Sequence, residues 1–280
     1  FHNGAARPGS EVRFEEVGVL SGTAYNGAGA PEAGMGIALA DADGNGRPDL
    51  FVTNFDLESN ALYGNQGGLL FADHRYRANL AEPSLPMVGF GAAFADLDLD
   101  GDPDLAVANG HIADNAEQMR SASRYRQRNQ IFENLGGGRF AERQDAGVDV
   151  VRASRGLAAG DLDGDGDLDL AIANSDDWSE VYENVSAAGR GVSVRLRGGA
   201  GNRFGVGARV EVEAGGARQA QEMVTASSYF SQNDLALTFG LGNLAHAERL
   251  TVSWPSGRRQ RFETLPAGRT LVVIEGGERP

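Results

Sequence analysis

The sequence predicts an all-β protein in two parts. A partial β-propeller, open or completed by a partner, spans residues 1–188, and a small antiparallel β-sandwich or barrel spans 189–280. Three observations predict it. One unit, reading apolar strand, Asp-rich loop, apolar strand and Asn, occurs three times before residue 175. Glycine is abundant (40 residues) while proline is ordinary (9), which suits many tight turns better than a helical bundle. After about residue 189 the Asp loops stop and short stretches of period-two alternation take over.

The first unit runs from Met35-Gly36 through Asp41-Ala42-Asp43-Gly44-Asn45-Gly46-Arg47-Pro48-Asp49 to Val52-Thr53-Asn54. The second runs from Phe90-Gly91 through Asp96-Leu97-Asp98-Leu99-Asp100-Gly101-Asp102-Pro103-Asp104 to Val107-Ala108-Asn109. The third runs from Arg155-Gly156 through Asp161-Leu162-Asp163-Gly164-Asp165-Gly166-Asp167-Leu168-Asp169 to Ile172-Ala173-Asn174. An apolar pair follows each copy: Leu62-Tyr63, Ile131-Phe132 and Val181-Tyr182. In the first two a Gly-rich turn and a Phe come next, giving short hairpin-linked strands, four to a blade. The loops start 55 and 65 residues apart. The longer interval holds an insertion near 110–128, read as a short exposed helix carrying Arg120, Arg124, Arg126 and Arg128. Those arginines form either a solvated face or a contact for an acidic partner.

The loop spacing, D-x-D-x-[DN]-x-x-x-D, sets oxygen side chains at positions 1, 3, 5 and 9, so that one tight turn can aim them at a single cation. The candidate ligands are Asp41, Asp43, Asn45 and Asp49; Asp96, Asp98, Asp100 and Asp104; and Asp161, Asp163, Asp165 and Asp169. Position 7 (Arg47, Asp102, Asp167) would offer its carbonyl, so its side chain is free to vary. Such an all-oxygen shell with a water or two suits Ca²⁺, which takes six to eight oxygens, and about three ions are expected. Mg²⁺ demands stricter octahedral geometry. An EF-hand needs a bidentate Glu at position 12, where this chain has Val52, Val107 and Ile172. Solvated Asp-Gly turns are the plain alternative, but three matched copies would repel themselves without a cation. The first loop, with Asn45 and only three carboxylates, is expected to bind most weakly, as calorimetry would show.

Composition narrows the chemistry. Cysteine and lysine are both absent, which excludes disulfides, thiolate chemistry, Schiff bases and Walker-type phosphate binding. A net charge of −14 argues against nucleic acid as a partner; three bound Ca²⁺ would bring it to −8. No apolar run approaches the roughly 18 residues of a membrane span. Neither an H-E-x-x-H motif nor a G-x-S-x-G elbow occurs. Of four scattered histidines, His111 is the one catalytic candidate, because it opens the insertion directly after a propeller strand. Ser231, Gln232 and Asp234 read as a polar site or, more simply, a self-bonded turn. The start at Phe1 reads like the interior of a repeat, so further blades are expected from an upstream segment, in the same precursor or as a separate chain.

In the second part, Val192, Val194 and Leu196, then Ala208, Val210 and Val212, then Leu250, Val252 and Trp254 alternate with polar residues, as in a sheet with one wet face. The repeats resemble the FG-GAP/VCBS repeats of calcium-binding β-propellers, seen in integrin α-subunits and bacterial secreted proteins; Met35-Gly36 and Phe90-Gly91 stand where that family has FG. Four later segments look like the ASPIC/UnbV domain: Asn202-Arg203-Phe204-Gly205-Val206-Gly207, Ser231-Gln232-Asn233-Asp234, Phe239-Gly240-Leu241-Gly242 and Trp254-Pro255-Ser256-Gly257. The whole chain is similar to the C-terminal half of the cartilage-acidic-protein family, whose bacterial members include UnbV-type proteins of enediyne clusters. That resemblance implies calcium-loaded blades and carries no agreed chemistry; the thin catalytic inventory favours a non-enzymatic binding or scaffold role toward a protein or glycan. It leaves open an accessory or tailoring protein of natural-product biosynthesis, a lectin, or a metal-assisted lyase. Millimolar-range calcium loops suit a secreted or periplasmic protein, and a biosynthetic role would make it cytoplasmic.

Overall fold

Each Asp loop is flanked by apolar segments of four to seven residues, long enough for a strand and too short for a stable helix. All three pairs form antiparallel hairpins in the structure, a computed structural model that describes residues 2–3, 13–119, 121–186 and 189–280. A two-stranded ribbon, β1 (His2–Asn3) with β2 (Phe14–Glu15), comes first, and one-turn helices α1 (Gly18–Ser21) and α2 (Ala81–Ser84) flank the first blade. No helix among the described residues is long and apolar enough to cross a membrane.

The first blade is β3 (Ile37–Ala40), β4 (Asp49–Val52), β5 (Ala61–Gly67) and β6 (Leu70–Asp73), in sequential antiparallel order. The second is β7 (Gly89–Ala95), β8 (Asp104–Asn109), β9 (Gln130–Asn134) and β10 (Phe140–Glu142). The third shows β11 (Ser154–Gly160), β12 (Asp169–Asn174) and β13 (Glu180–Tyr182). The innermost strands lie side by side, β7 between β3 and β11. Their spacing is tight enough that a Cβ on Gly91 would sit 2.7 Å from the Arg155 carbonyl oxygen. One apolar core, with Phe51, Leu62, Leu105, Phe132 and Phe140, joins blades one and two. Another, with Ile131, Leu157, Leu170 and Ile172, joins blades two and three.

The C-terminal strands are β14 (Arg190–Arg197), β15 (Arg209–Ala214), β16 (Ala217–Glu222), β17 (Ala236–Gly242), β18 (His246–Ser253), β19 (Arg259–Pro266) and β20 (Arg269–Ile274). They form two sheets, β17-β14-β20 and β16-β15-β18-β19, around one core. Val192, Val194, Val210, Val212, Leu250 and Val252 all face into it, the face that the alternation predicts. Trp254 is buried there with its indole N–H donating to Gln260 Oε1 at 2.6 Å. One pair, β14 with β20, is parallel, because the chain reaches β20 from the other sheet and not through a hairpin.

Two expectations change. The insertion near 110–128 is a folded-back loop of turns closed by a Gly110–Arg126 bridge, not an exposed helix. Buried His111 and Ala116 and the bond from His111 N to Tyr125 O (2.9 Å) tie it to the blade, leaving no free helical face. Two of its arginines pair within the chain: Arg126 with Asp177 (3.1 Å) and Arg128 with Glu142 (2.6 Å). Arg120 lies outside the described residues, as does Phe1. The Ser231–Asp234 stretch is more than a self-bonded turn, since the segment from Ser227 to Asp234 lies against the inner strands of all three blades. Ser228 N donates to Ile37 O in β3 (2.9 Å), and Ala92 N in β7 donates to Ser228 Oγ (2.9 Å). In β11, Ala159 N donates to Asn233 Oδ1 (3.0 Å) while its carbonyl accepts from Asp234 N (2.9 Å). Tyr229 packs edge-on to Phe90 with ring centres 5.0 Å apart.

Candidate metal centres

Short polar side chains spaced two apart in a tight turn bond to the backbone two residues on, and each Asp loop is built this way. Position 3 accepts from the N–H of position 5, as in Asn45 to Asp43 (3.2 Å), Asp100 to Asp98 (3.2 Å) and Asp165 to Asp163 (3.0 Å). Position 5 accepts in turn from the N–H of position 7, at Arg47, Asp102 and Asp167. These ladders curl the loop and gather positions 1, 3 and 9. One carboxylate oxygen each from Asp41, Asp43 and Asp49 lies within 4.8 Å of the others; the same holds for Asp96, Asp98 and Asp104, and for Asp161, Asp163 and Asp169. The position 5 side chains (Asn45, Asp100, Asp165) are engaged with the position 7 amides, and the carboxylates of Asp100 and Asp165 are not among these trios. The position 7 carboxylates Asp102 and Asp167 are not among them either, and Arg47 fills that place in the first loop.

Position 9 has a second task. Asp104 accepts from Leu97 N (3.0 Å) at the loop's start and from Asn134 N (2.8 Å) on β9. Asp49 holds Ala42 N and Asn65 N, and Asp169 holds Leu162 N and Asn184 N, in the same way. One carboxylate thus clamps the loop to the third strand of its blade. The three asparagines on or just past those strands escaped the reading of the sequence. Their signal is a recurring Asn two residues after each aromatic of the apolar pair: Tyr63 to Asn65, Phe132 to Asn134, Tyr182 to Asn184. Asn134 Nδ2 donates across to Ala42 O in the preceding blade (2.9 Å), and Asn184 Nδ2 to Leu97 O (2.8 Å). Asn65 Nδ2 instead bonds Pro48 O within its own blade.

The electrostatics favour a cation. No guanidinium among the described residues makes an ion pair with a loop carboxylate. Burial, then the charges of Asp100, Asp104 and Asp98, push Asp96 up to about 8. Burial lifts Asp104 to about 7 with Asp98 and Asp100 adding to it, and lifts Asp49 to about 6 against its two amide donors. In the third loop burial and then Asp165 and Asp169 push Asp167 to about 7. Crowded carboxylates whose charge is this disfavoured are what a divalent ion relieves. Asp41 Oδ1, Asp96 Oδ1 and Asp167 Oδ1 are buried oxygens with no hydrogen-bond donor. Unpartnered buried acceptors and hard oxygen donors fit Ca²⁺, which the trios would hold with loop carbonyls completing the shell.

His111, the catalytic candidate, is enclosed by its own insertion. It is 2% exposed, and its Nδ1 accepts from Ala113 N (3.0 Å), which puts the ring proton on Nε2, 3.2 Å from Ser121 Oγ. Ser121 Oγ donates to Asp56 Oδ2 (2.5 Å), so the hydroxyl faces an acid and not an imidazole lone pair. A cavity of about 490 Å³ opens between blades two and three, lined by Asp98, Glu133, Arg143, Val148, Leu170 and Tyr182, among others. The Ser227–Asp234 segment crosses the inner strands.

Two family models match the chain. The FG-GAP-like repeat matches residues 41–107 and 121–172, across the first two loops and into the third blade, and ASPIC and UnbV matches residues 198–280. No curated protein matches the chain. The chain is therefore an FG-GAP-like repeat propeller followed by an ASPIC and UnbV domain.

Proposed function

We propose that this chain, which joins FG-GAP-like repeats to an ASPIC and UnbV domain, is a calcium-stabilised binding or scaffold module that works through contacts and not through catalysis. One observation carries the reading: each loop gathers three carboxylates within 4.8 Å with no cationic side chain to neutralise them. The ions supply charge balance and rigidity, and the loops, so held, set the blade edges for partner contact. Calcium titrated into chelator-stripped chain should give three binding events and a raised melting temperature. Absence of both heat and a thermal shift at millimolar calcium would sink the reading.

The partner surfaces lie on the flanking blades. Ile37 and Leu39 on β3 are 50% and 61% exposed, and Trp178 and Val181 beside and on β13 are 74% and 68% exposed. Apolar strand surfaces of this kind are normally covered. We assign them to further propeller sheets, from the same precursor or a separate chain, with the protein or glycan ligand bound by the completed assembly. A stable lone monomer in analytical ultracentrifugation would count against that assignment. Calcium loops of the millimolar, extracellular kind support a place outside the cell or in a periplasm.

A second reading rests on the cavity between blades two and three, whose lining includes Asp98, Glu133 and Tyr182, the last with a buried hydroxyl. Such a site suits a small polyhydroxylated ligand, as in a lectin. Saturation-transfer NMR with simple sugars tests it, and a Tyr182→Phe variant that binds equally well rules it out.

A further inference from the structure

The second loop departs from its neighbours at position 4. The first and third loops have Gly44 (φ 73°) and Gly164 (φ 87°) there, while the second has Leu99 in the same left-handed region (φ 58°). A leucine in that conformation is strained, and something must compensate it. The compensation is contact with the C-terminal sheets. Leu99 is 4% exposed, and its side chain lies against Gly191. Its carbonyl accepts from Gly242 N (2.8 Å), and the Asp98 carbonyl accepts from Gly189 N (2.7 Å).

Asp96 joins the same contact. Its Oδ2 accepts from Gly101 N within the loop (3.0 Å) and from Gly240 N on β17 (3.0 Å). A Cβ at Gly240 would lie 2.1 Å from that oxygen, so only glycine allows the approach. The Gly240 carbonyl is held from behind by Gln219 Nε2 (2.6 Å). The other oxygen, Oδ1, has no donor, although the residue is only 6% exposed. In the first and third loops, position 1 accepts amides only from its own loop, Gly46 for Asp41 and Gly164 for Asp161. The first loop reaches the C-terminal sheets only by a guanidinium, Arg209 Nη2 to Gly46 O (3.3 Å).

We propose that the second loop is an interdomain cation site, in which ion binding and docking of the ASPIC and UnbV sheets reinforce each other. The inference rests on the calcium reading above and adds that one of the three sites is unlike the others. A single carboxylate belongs to the loop's trio and accepts the Gly240 amide through Oδ2, while its buried Oδ1 has no protein donor and is left for an ion. An ion on Oδ1 fixes the carboxylate's rotamer, and with it the position of the Oδ2 that accepts from Gly240 and Gly101. By linkage, docking must then tighten the ion by the same factor. The first and third loops lack this connection.

Amide hydrogen exchange on the full chain tests it, in calcium, in chelator, and with Asp98→Asn, Asp43→Asn and Asp163→Asn in calcium. Exchange at Gly189, Gly240 and Gly242 should accelerate by roughly tenfold in chelator and with Asp98→Asn, within the usual range of coupling between sites. Asp43→Asn and Asp163→Asn should leave those amides unchanged. The reciprocal arm is Leu99→Gly, which restores the residue of the other two loops and relieves the strain. A loop acting alone would bind calcium as well or better; a coupled loop loses affinity by about tenfold at that site only. Three calcium ions bound with those amides indifferent to calcium, or Leu99→Gly binding undiminished, would overturn the coupling and leave the calcium reading intact. Absence of any calcium binding would overturn both together.

Discussion

Asp96 of the second loop is 6% exposed and accepts an amide from the C-terminal sheets, whereas Asp41 and Asp161, at the same position of loops with the same spacing, are half-buried and bonded only within their own turns. The donor set is common to all three, because it follows from spacing inside one turn. The electrostatic cost is not common, because it depends on what covers the turn. Burial and three neighbouring charges raise Asp96 to about 8; Asp41 is also raised by burial, but its loop amides oppose the shift. Repeated motifs of this kind can therefore serve different ends in one molecule: two loops brace their blades, and one also joins two domains.

The strongest way to break the contrast is to empty every loop. At a hundredfold excess over Kd each ion adds about 2.7 kcal/mol, and at about 2 °C per kcal/mol for a chain of this size, chelation should lower Tm by on the order of 15 °C. Differential scanning calorimetry reads it, and an unchanged midpoint would mean the loops are ordinary turns. A single substitution sharpens the comparison. Asp96→Ala in calcium should cost about 3 kcal/mol, since it strips a buried acceptor from Gly240 and Gly101. Asp41→Ala should cost nearer about 1 kcal/mol, and urea midpoints would separate the two.

A pH series on calcium-free chain comes next in size. Asp96, Asp104 and Asp49 have folded values raised above the unfolded carboxylate, to about 8, 7 and 6. Their protonated forms therefore favour the fold, fully below about pH 4, and this contribution is lost as pH rises toward 8. Without calcium the melting temperature should fall over that window; saturating calcium should abolish the fall, because the ion favours the charged carboxylates. A calcium-free midpoint that rises from pH 4 to 8 would contradict the crowding seen in the loops. The smallest effect concerns the asparagines. Asn134→Ala and Asn184→Ala each remove a bond between blades and should cost roughly 1–2 kcal/mol, against under about 1 kcal/mol for Asn65→Ala, which bonds within its own blade. Equal losses at all three in denaturant titrations would show that the bonds between blades carry no extra weight.

Much of the fold was legible. The strand pairs around Asp41–Asp49, Asp96–Asp104 and Asp161–Asp169 lie where the repeat sets them, and the Val192, Val210 and Leu250 rows face one core as their alternation requires. Less of the candidate site could be read. Asp49, Asp104 and Asp169 were visible as ligands but not as clamps on the third strand, since that role depends on amides 15 to 30 residues downstream. The insertion at 110–128 has the composition of an exposed helix, yet it folds onto the blade through His111 and Ala116, whose burial no local pattern announces.

By itself the sequence determined the hairpins, the three oxygen-lined turns and the alternating sheets, because each of these arises from residues a few positions apart along one stretch of chain. Only the tertiary structure decided that Leu99 and Asp96 meet β17, that residues 227–234 lie across the inner strands, and that Asn134 and Asn184 bridge successive blades. Those contacts join positions as far apart as Ile37 and Ser228. They are selected by which surfaces remain to be covered once the local elements have formed, and spacing within a repeat holds no record of that choice.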